Sequence, residues 1–204
     1  MTEIALMECE YFPCIDWYKT YLKNDNVIIE QNEFFKKTTY RNRCYITAAN
    51  SLVCLSVPVQ GGRNQRTIMK DVKICNDEKW QHLHWKSLEA AYRRSPYFEF
   101  FEDEIQDFFS TSFNNLLELN LASLKLINNL LKIKKEIVLS KSYEKNFNDN
   151  IIDFRSTFLP SERKNNLYKI EYIQPFSPRN GFEPNLSMLD YIFCVGKADD
   201  LLNF

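Results

Sequence analysis

The chain has only two histidines, His82 and His84, and their positions in one predicted helix differ. When residues 80–95 are read at 100° per residue, His84 falls on the apolar side beside Gln81, and His82 falls on the charged side. A buried imidazole can act as a general base or acid because it titrates near neutral pH. It can equally be a structural group that is satisfied by internal hydrogen bonds, so both interpretations stay open for His84.

A second polar residue, Asn120, is predicted on the apolar side of a long helix over residues 114–133. The polar residues of this helix form one narrow stripe on the opposite side: Asn114, Glu118, Lys125, Asn129 and Lys132. A buried amide needs hydrogen-bond partners. Asn120 therefore either binds a neighbouring backbone segment or reaches into a ligand cavity.

A basic segment offers a candidate anion site. Arg41 and Arg43 alternate with Asn42, so their guanidinium groups share one face if the chain is extended there. Two guanidinium groups are suited to bidentate binding of phosphate or carboxylate. Surface salt bridges from these arginines to Glu30 or Glu33 are an alternative that is at least as well supported.

The sequence lacks the common motifs for metals and cofactors. His82 and His84 point to opposite sides of a helix, so they do not form a zinc site, and we predict no metal ligands. Neither a glycine-rich phosphate loop nor a nucleophile elbow occurs, and the chain has only four glycines. The six cysteines contain no C-x-x-C pair. The cofactor, if the protein uses one, stays unknown at this stage.

The apolar pattern predicts the elements that would position these residues. A strand at 4–7, a helix at 16–22 and a strand at 27–29 form an early βαβ unit, with Tyr11 in its first connection. The later predicted elements are paired strands at 43–47 and 52–59, a loop at 61–65, a strand at 68–74, a cluster of helices over about 77–133, strands at 137–139 and 168–173, a loop-rich stretch at 146–166, and a last helix from 184 to about 196.

Length, composition and charge favour one soluble α/β domain over residues 1–204, with a mixed sheet packed against the helical cluster. The chain has 204 residues, 45% of them hydrophobic, which suits a single globular core. A formal net charge of −1 argues against a nucleic-acid binder. We also predict no membrane span and no secretory leader, and hence a cytoplasmic protein with reduced thiols.

We expect a site for a small-molecule substrate where the Tyr11 turn, the 41–43 segment and the His84 face of its helix converge. Loops that follow strands are where open α/β sheets bind ligands. The candidate binding residues are Tyr11, Arg41, Asn42, Arg43, Gln81 and Asn120, and His84 is the candidate catalytic residue.

Several segments, taken in order, resemble the WbqC-like protein family. They are residues 11–13, 40–44, 55–59, 80–85, 91–93, 95–98 and 185–190, and they span nearly the whole chain. The resemblance rests on their joint order and not on a single motif. Two features depart from the family: Glu8-Cys9-Glu10 stands where many members have Gln-Pro, and an extra segment before the last helix of longer members is missing.

The resemblance implies a role in surface polysaccharide (O-antigen) biosynthesis, for which transfer of glycine or another aminoacyl group onto a sugar has been suggested. One hypothesis is a cytoplasmic transferase in which Arg41 and Arg43 hold a nucleotide-sugar or another anionic donor, and His84 acts as general base. The alternative is a non-catalytic binding or scaffold protein that works with polysaccharide enzymes through aromatic residues at 97–101. Oligomeric state is not predicted.

Overall fold

The computed structural model of the protein describes residues 3–61, 66–145, 147, 150–165 and 167–202. Residues 62–65 of the predicted loop lie outside this part of the chain. The elements of the described part are, in chain order, β1 (Ile4–Glu8), α1 (Ile15–Lys23), β2 (Asn26–Glu30), β3 (Arg43–Ala48), β4 (Ser51–Ser56), α2 (Trp80–Tyr92), α3 (Phe98–Ser110), α4 (Leu116–Leu130), β5 (Val138–Leu139), β6 (Ile151–Asp153), α5 (Ser177–Asn180), α6 (Met188–Val195) and α7 (Asp199–Leu202).

Four strands form a parallel sheet in the order β5-β2-β1-β6. β1 and β2 are joined by α1, which confirms the predicted βαβ unit. The chain proceeds outward from β1 through β2 to β5, and β6 then pairs with the other side of β1. The strand order therefore reverses between β1 and β6. Ligands of open α/β sheets bind at such a reversal, outside the carboxyl ends of the strands.

The two faces of the parallel sheet are buried differently. Ala5 and Val27, which are register partners, point to one face and belong to the main hydrophobic core, to which α1, α4 and α6 also contribute. Ile4, Ile28 and Val138 point to the other face and lie outside that core. Parallel sheets usually have both faces covered by the hydrophobic core, so it is unusual that the apolar residues of the second face lie outside it.

The remaining strands, β3 and β4, form a separate antiparallel hairpin, and α2, α3 and α4 form the predicted helical cluster. Asn115 caps α4, because its side chain accepts hydrogen bonds from the first turn of the helix. α6 ends at Gly196, whose left-handed backbone (φ 72°) and close approach to the Tyr97 ring leave no room for a Cβ atom.

One predicted strand, at 68–74, is wrong. The segment contains a short 3₁₀ turn, Met69–Asp71, between isolated bridges at Ile68 and Ile74. The apolar residues Met69 and Ile74 are buried as a strand pattern requires. Their backbone N–H groups, however, donate to carbonyls of two different segments, those of Glu33 and Asn114, so no continuous ladder forms.

Other differences concern the second half of the chain. The stretch at 146–166 contains β6, and residues 168–173 form no strand. The last long helix starts at Met188 instead of residue 184, because Ser187 caps it by accepting a hydrogen bond from the N–H of Leu189. Its predicted end near Gly196 is confirmed.

Candidate functional site

Four charged side chains meet at the carboxyl end of β1, and all are almost inaccessible to solvent: Glu8, Glu10, Glu33 and Arg41. Arg41 donates from Nε to Oε1 of Glu33 at 2.9 Å and from Nη2 to Oε2 at 2.8 Å. The same Nη2 lies 3.7 Å from Oε2 of Glu8. These four residues are called the Glu8–Arg41 cluster below.

Three carboxyl groups share a single guanidinium in this cluster, so they cannot all be ionised at low cost. Burial raises the pKa of Glu8 to about 7, and the charge of Arg41 offsets only part of that shift. Burial, followed by the charge of Glu8, raises the pKa of Glu10 well above its usual range. Both effects favour the protonated form of Glu10. Glu8 changes its protonation near neutrality, as a general acid or base must.

The loops that follow β1, β2 and β6 each contain a non-glycine residue with a left-handed backbone: Phe12 (φ 41°), Thr38 (φ 63°) and Ser156 (φ 63°). Such a conformation costs about 1–3 kcal/mol, and it concentrates at functional sites. Ser156 donates its N–H to the Glu8 carboxylate and accepts a hydrogen bond on its hydroxyl from Lys36 Nζ at 2.7 Å. These contacts join the three loops where the strand order reverses.

Buried polar atoms without a hydrogen-bond partner are concentrated in the same region. Among the described residues, eight buried side-chain atoms lack a partner, and six of them belong to residues 10, 40–43 and 120. They include Oε1 of Glu10, Nη1 of Arg41 and Oδ1 of Asn120. Because nearly all buried polar atoms in proteins are paired, this concentration favours a place where a ligand or ordered water binds.

The predicted contrast between the two histidines is confirmed, since His82 is exposed and His84 is buried. The Tyr11 hydroxyl lies 3.0 Å from Nδ1 of His84, and the ring also forms a hydrogen bond with the Ser56 backbone. Burial lowers the pKa of His84 to about 4, so the ring is neutral at pH 7. With both partners in place, the imidazole has the environment of a satisfied structural histidine.

The predicted burial of Asn120 is also confirmed, and its amide connects two parts of the site. Nδ2 donates to the carbonyl of Cys9 at 3.1 Å and to the carbonyl of Arg41 at 2.7 Å. A backbone hydrogen bond from Tyr11 to the carbonyl of Tyr40 (2.9 Å) joins the same two segments. The loop after β1 and the segment before β3 are thus held together around the cluster.

Arg41 and Arg43 are arranged differently from the sequence expectation. Arg41 and Asn42 lie in a turn that precedes β3, so the two arginines do not alternate on one extended strand. Arg41 forms the salt bridge to Glu33 that was the alternative, although this pair is buried and not on the surface. Arg43 is partly exposed and forms a hydrogen bond with Tyr45.

The side chains of the last two predicted binding residues, Asn42 and Gln81, donate hydrogen bonds to backbone carbonyl groups. Asn42 donates from Nδ2 to the carbonyl of Val57 at 3.0 Å. Gln81 donates to the carbonyl of Thr111 at 2.5 Å, which links the start of α2 to the end of α3. Gln81 therefore binds a neighbouring helix and is not among the contacts of the Glu8–Arg41 cluster.

Sequence reasoning did not include Glu8 and Glu10 among the candidate site residues, because they appeared only as a departure from the family pattern. The signal that could have identified them is the position of two acidic residues directly after a buried strand of a βαβ unit. Because β1 is parallel to its neighbours, residues at its end lie at the carboxyl edge of the sheet.

Within the part of the chain that the structure describes, no group of three or more His, Cys, Asp or Glu side chains is arranged to hold a metal ion. None of the helices described above is both long enough and apolar enough to cross a membrane.

Comparison with known proteins gives a family match and one informative relative. The sequence profile of the WbqC-like protein family matches residues 9–162, a range that contains Glu10, Glu33 and Arg41 and begins one residue after Glu8. The chain is similar to the uncharacterized protein Rv1507c of Mycobacterium tuberculosis (strain ATCC 25618 / H37Rv). The two are 25% identical over 241 aligned positions, which cover 100% of this chain and 99% of the relative. No solved structure matches the chain.

Proposed function

Since the chain belongs to the WbqC-like protein family, we propose that it is a cytoplasmic transferase that moves an acyl or aminoacyl group onto a sugar precursor of a surface polysaccharide. The observation that carries this proposal is the carboxyl group of Glu8. It ends β1 next to the strand-order reversal, and burial raises its pKa to about 7. A carboxyl group in that state can both accept and return a proton at neutral pH.

The reaction that we propose uses Glu8 twice. As the amine or hydroxyl of the acceptor attacks the carbonyl carbon of the donor, ionised Glu8 takes the proton from the attacking nitrogen or oxygen. A new C–N or C–O bond forms, the bond from the carbonyl carbon to the leaving group breaks, and Glu8 returns the proton to the leaving group. The net charge of the enzyme is the same before and after the transfer.

Lys36 supports an anionic donor. Its side chain is exposed, and its ammonium group lies 2.7 Å from the Ser156 hydroxyl. The positive charge of Lys36 lowers the pKa of both Glu8 and Asp153. In this proposal Lys36 binds the donor phosphate or carboxylate, a role that the sequence alone assigned to Arg41 and Arg43. Arg41 is already neutralised by Glu33, so it positions Glu8 instead of contacting the donor.

The first test identifies the donor. Purified protein would be screened by thermal shift against nucleotide-sugars, coenzyme A thioesters and aminoacyl-adenylate mimics, and a ligand present at about 100 times its Kd adds about 2.7 kcal/mol of stability. We expect a shift that Lys36→Ala reduces and that Lys37→Ala, a neighbouring exposed lysine, leaves unchanged. If no compound in the panel shifts the unfolding temperature, an anionic small-molecule donor is rejected.

The second test addresses the chemistry. With a donor identified, product formation on an amino sugar would be followed by mass spectrometry in the Glu8→Gln variant. We expect turnover to fall by about 10²–10⁴-fold while donor binding is retained. Asp190→Asn is the matched control, because Asp190 is also a buried carboxyl group and its hydrogen-bond partners, Tyr92 and Tyr172, lie outside the Glu8–Arg41 cluster. Wild-type turnover in Glu8→Gln would remove Glu8 from the mechanism.

A non-catalytic binding protein is the second candidate function, and exposed Phe100 is the observation that favours it. Phe100 is 73% exposed on α3. Of the other aromatic residues proposed for such a surface, Phe98 is buried against Trp85 and Phe193, and Tyr97 packs near Gly196. A polysaccharide enzyme that is captured by the wild type and lost with Phe100→Ser would support this function. Capture that is unaffected by the substitution would contradict it.

A further inference from the structure

A groove crosses the face of the parallel sheet that lies outside the main core. It consists of two adjoining cavities of about 260 Å³ and about 300 Å³, which share Ile4, Ile28 and Val138 as walls. One volume lies at the lower limit of the range for small-molecule sites, roughly 300–1,000 Å³, and the other lies just below it, but the two cavities adjoin. The groove is therefore large enough for a slender ligand.

The lining of the groove is aliphatic along its floor and polar at its ends. Leu6, Ile28 and Ile151 contribute branched side chains to the floor. The end at the carboxyl edge of the sheet carries Glu30 and Ser140, whose hydroxyl donates to the Glu30 carboxylate at 2.5 Å. A flexible aliphatic chain with one polar head fits such a lining better than a charged or hydrated molecule, because the floor offers the chain only apolar contact.

The polar end of the groove is next to the proposed catalytic carboxyl group. Glu30 and Glu8 are register partners at the ends of neighbouring parallel strands. A chain that lies along the groove with its head at Glu30 would thus have its head group at the carboxyl edge where Glu8 lies. The groove is in this way continuous with the edge of the sheet at which the transfer is proposed.

We propose that this groove binds an unbranched aliphatic acyl chain, with its head at the Glu30 end, where Lys141 and Ser142 of the lining are the groups able to donate to the acyl carbonyl. That this chain belongs to the donor rests on the proposed transferase function. If it does, the transferred group is an aliphatic acyl group and not an aminoacyl group. Binding of the chain itself does not depend on turnover. The apolar face that the fold leaves outside its core is covered when the chain is bound.

The test uses straight-chain primary amides as probes, since their heads are neutral and their length can be varied. Calorimetric titration of hexanamide and octanamide measures the effect of two methylene groups. At about 0.8 kcal/mol for each buried methylene, octanamide should bind about fifteenfold more tightly. A methyl-branched isoprenoid amide of eight main-chain carbons should bind more weakly than octanamide. Equal binding of the six- and eight-carbon amides, or tighter binding of the branched one, would overturn the assignment.

Substitutions on the two faces of the sheet provide matched variants. Val138→Trp fills the groove from the exposed edge strand β5, where Val138 is the register partner of Ile28. Ile152→Trp is the control, because Ile152 lies on the other exposed edge strand and is the partner of Ala5 on the opposite face. We expect Val138→Trp to weaken octanamide binding at least tenfold and Ile152→Trp to leave it unchanged. Equal effects would contradict the groove.

Ile28→Phe provides a second blocking variant if Val138→Trp does not fold, as judged by its thermal unfolding. The outcomes also separate the two proposals. Octanamide binding that persists in Glu8→Gln, together with unchanged turnover in that variant, supports the groove and rejects the catalytic role of Glu8. Loss of turnover in Glu8→Gln without any amide binding by the wild type rejects the groove and supports the transferase.

Discussion

At the scale of single residues, Arg41 has a different role from the one that its neighbours in sequence predict. It is fully buried, and its guanidinium is held by two hydrogen bonds to Glu33 and a longer contact with Glu8. A buried guanidinium that has these partners is committed to the interior of the protein. Its charge lowers the pKa of Glu8, and the proposed donor is bound by a more exposed cation, Lys36.

Removal of Arg41 alone should be costly, because it leaves two buried carboxylates without their cation. We expect Arg41→Leu to lower the free energy of unfolding in urea by about 3–5 kcal/mol. The double variant Arg41→Leu with Glu33→Leu should lose less than the single one, since it removes a charge together with its partner. Arg43→Leu, which changes a partly exposed neighbour, is the control. A double variant that is less stable than either single variant would refute this account of the pair.

His84 gives a second residue-scale prediction. Replacing it by Ala leaves the buried Tyr11 hydroxyl unpaired, which should cost about 1–3 kcal/mol, whereas His82→Ala should change stability by less than about 0.5 kcal/mol. If the His84→Ala variant folds stably and shows no turnover, the general-base role that the sequence predicted for His84 would be restored.

The pH dependence of this difference is also defined. The pKa of His84 is lowered from 6.5 to about 4, so its stabilising neutral form is fully present above pH 6.5 and is lost as the pH falls towards 4. The stability gap between wild type and His84→Ala should therefore shrink on acidification from pH 7 to pH 4. A gap that widens over this range, measured by urea unfolding at each pH, would show that the imidazole is not buried in its neutral form.

At the scale of elements, local pattern was sufficient where the apolar residues of an element are contiguous or periodic. β1, α1, β2, the hairpin strands β3 and β4 and the helical cluster all lie close to their predicted positions. β6 could not be predicted, because it lies in a largely polar stretch and exists through its pairing with β1, about 147 positions earlier in the chain. The segment at 68–74 failed for a related reason, since its partners lie in two separate segments.

Asn120 on α4 carries the element-scale prediction. Its amide is the link from this helix to the carbonyls of Cys9 and Arg41, so Asn120→Leu should lower the free energy of unfolding by about 1–3 kcal/mol. Asn129→Leu is a matched control, because Asn129 is an exposed asparagine on the same helix. Urea unfolding of the two variants provides the measurement. Equal stability of the two would mean that the buried amide contributes nothing to the attachment of α4.

At the scale of the whole molecule, the candidate site exists only through topology. Glu8 ends β1, whereas Glu33 and Arg41 lie in the connection from β2 to β3, and they meet because β1 and β2 are parallel neighbours in the sheet. The sequence predicted that the Tyr11 turn and the segment around Arg41 converge, and their backbone hydrogen bond agrees with that geometry. It could not predict which charges become buried there, since burial also depends on contacts with segments far away in the sequence, such as that of Ser156 with Glu8.

The buried acids should also determine how the stability of the whole protein changes with pH. Besides Glu8, Asp190 is fully buried, and it accepts hydrogen bonds from the hydroxyl groups of Tyr92 and Tyr172. Burial raises the pKa of Asp190 from 3.8 to about 6, and that of Glu8 from 4.5 to about 7. At any pH between the unfolded and the folded pKa of each acid, the folded state keeps a proton that the unfolded state has released.

The protein should therefore lose stability as the pH rises from about 4 to 7. Each of the two acids contributes about 3 kcal/mol in that direction, and Glu10 adds to it, whereas His84 opposes it by about 3 kcal/mol below pH 6.5. Free energies of unfolding in urea at pH 4.5, 6 and 7.5 would give the slope. Glu8→Gln and Asp190→Asn should each flatten it. A wild-type protein whose stability increases steadily from pH 4.5 to 7.5 would mean that these carboxyl groups are ionised in the folded state, and Glu8 would then lack the near-neutral pKa on which its proposed role depends.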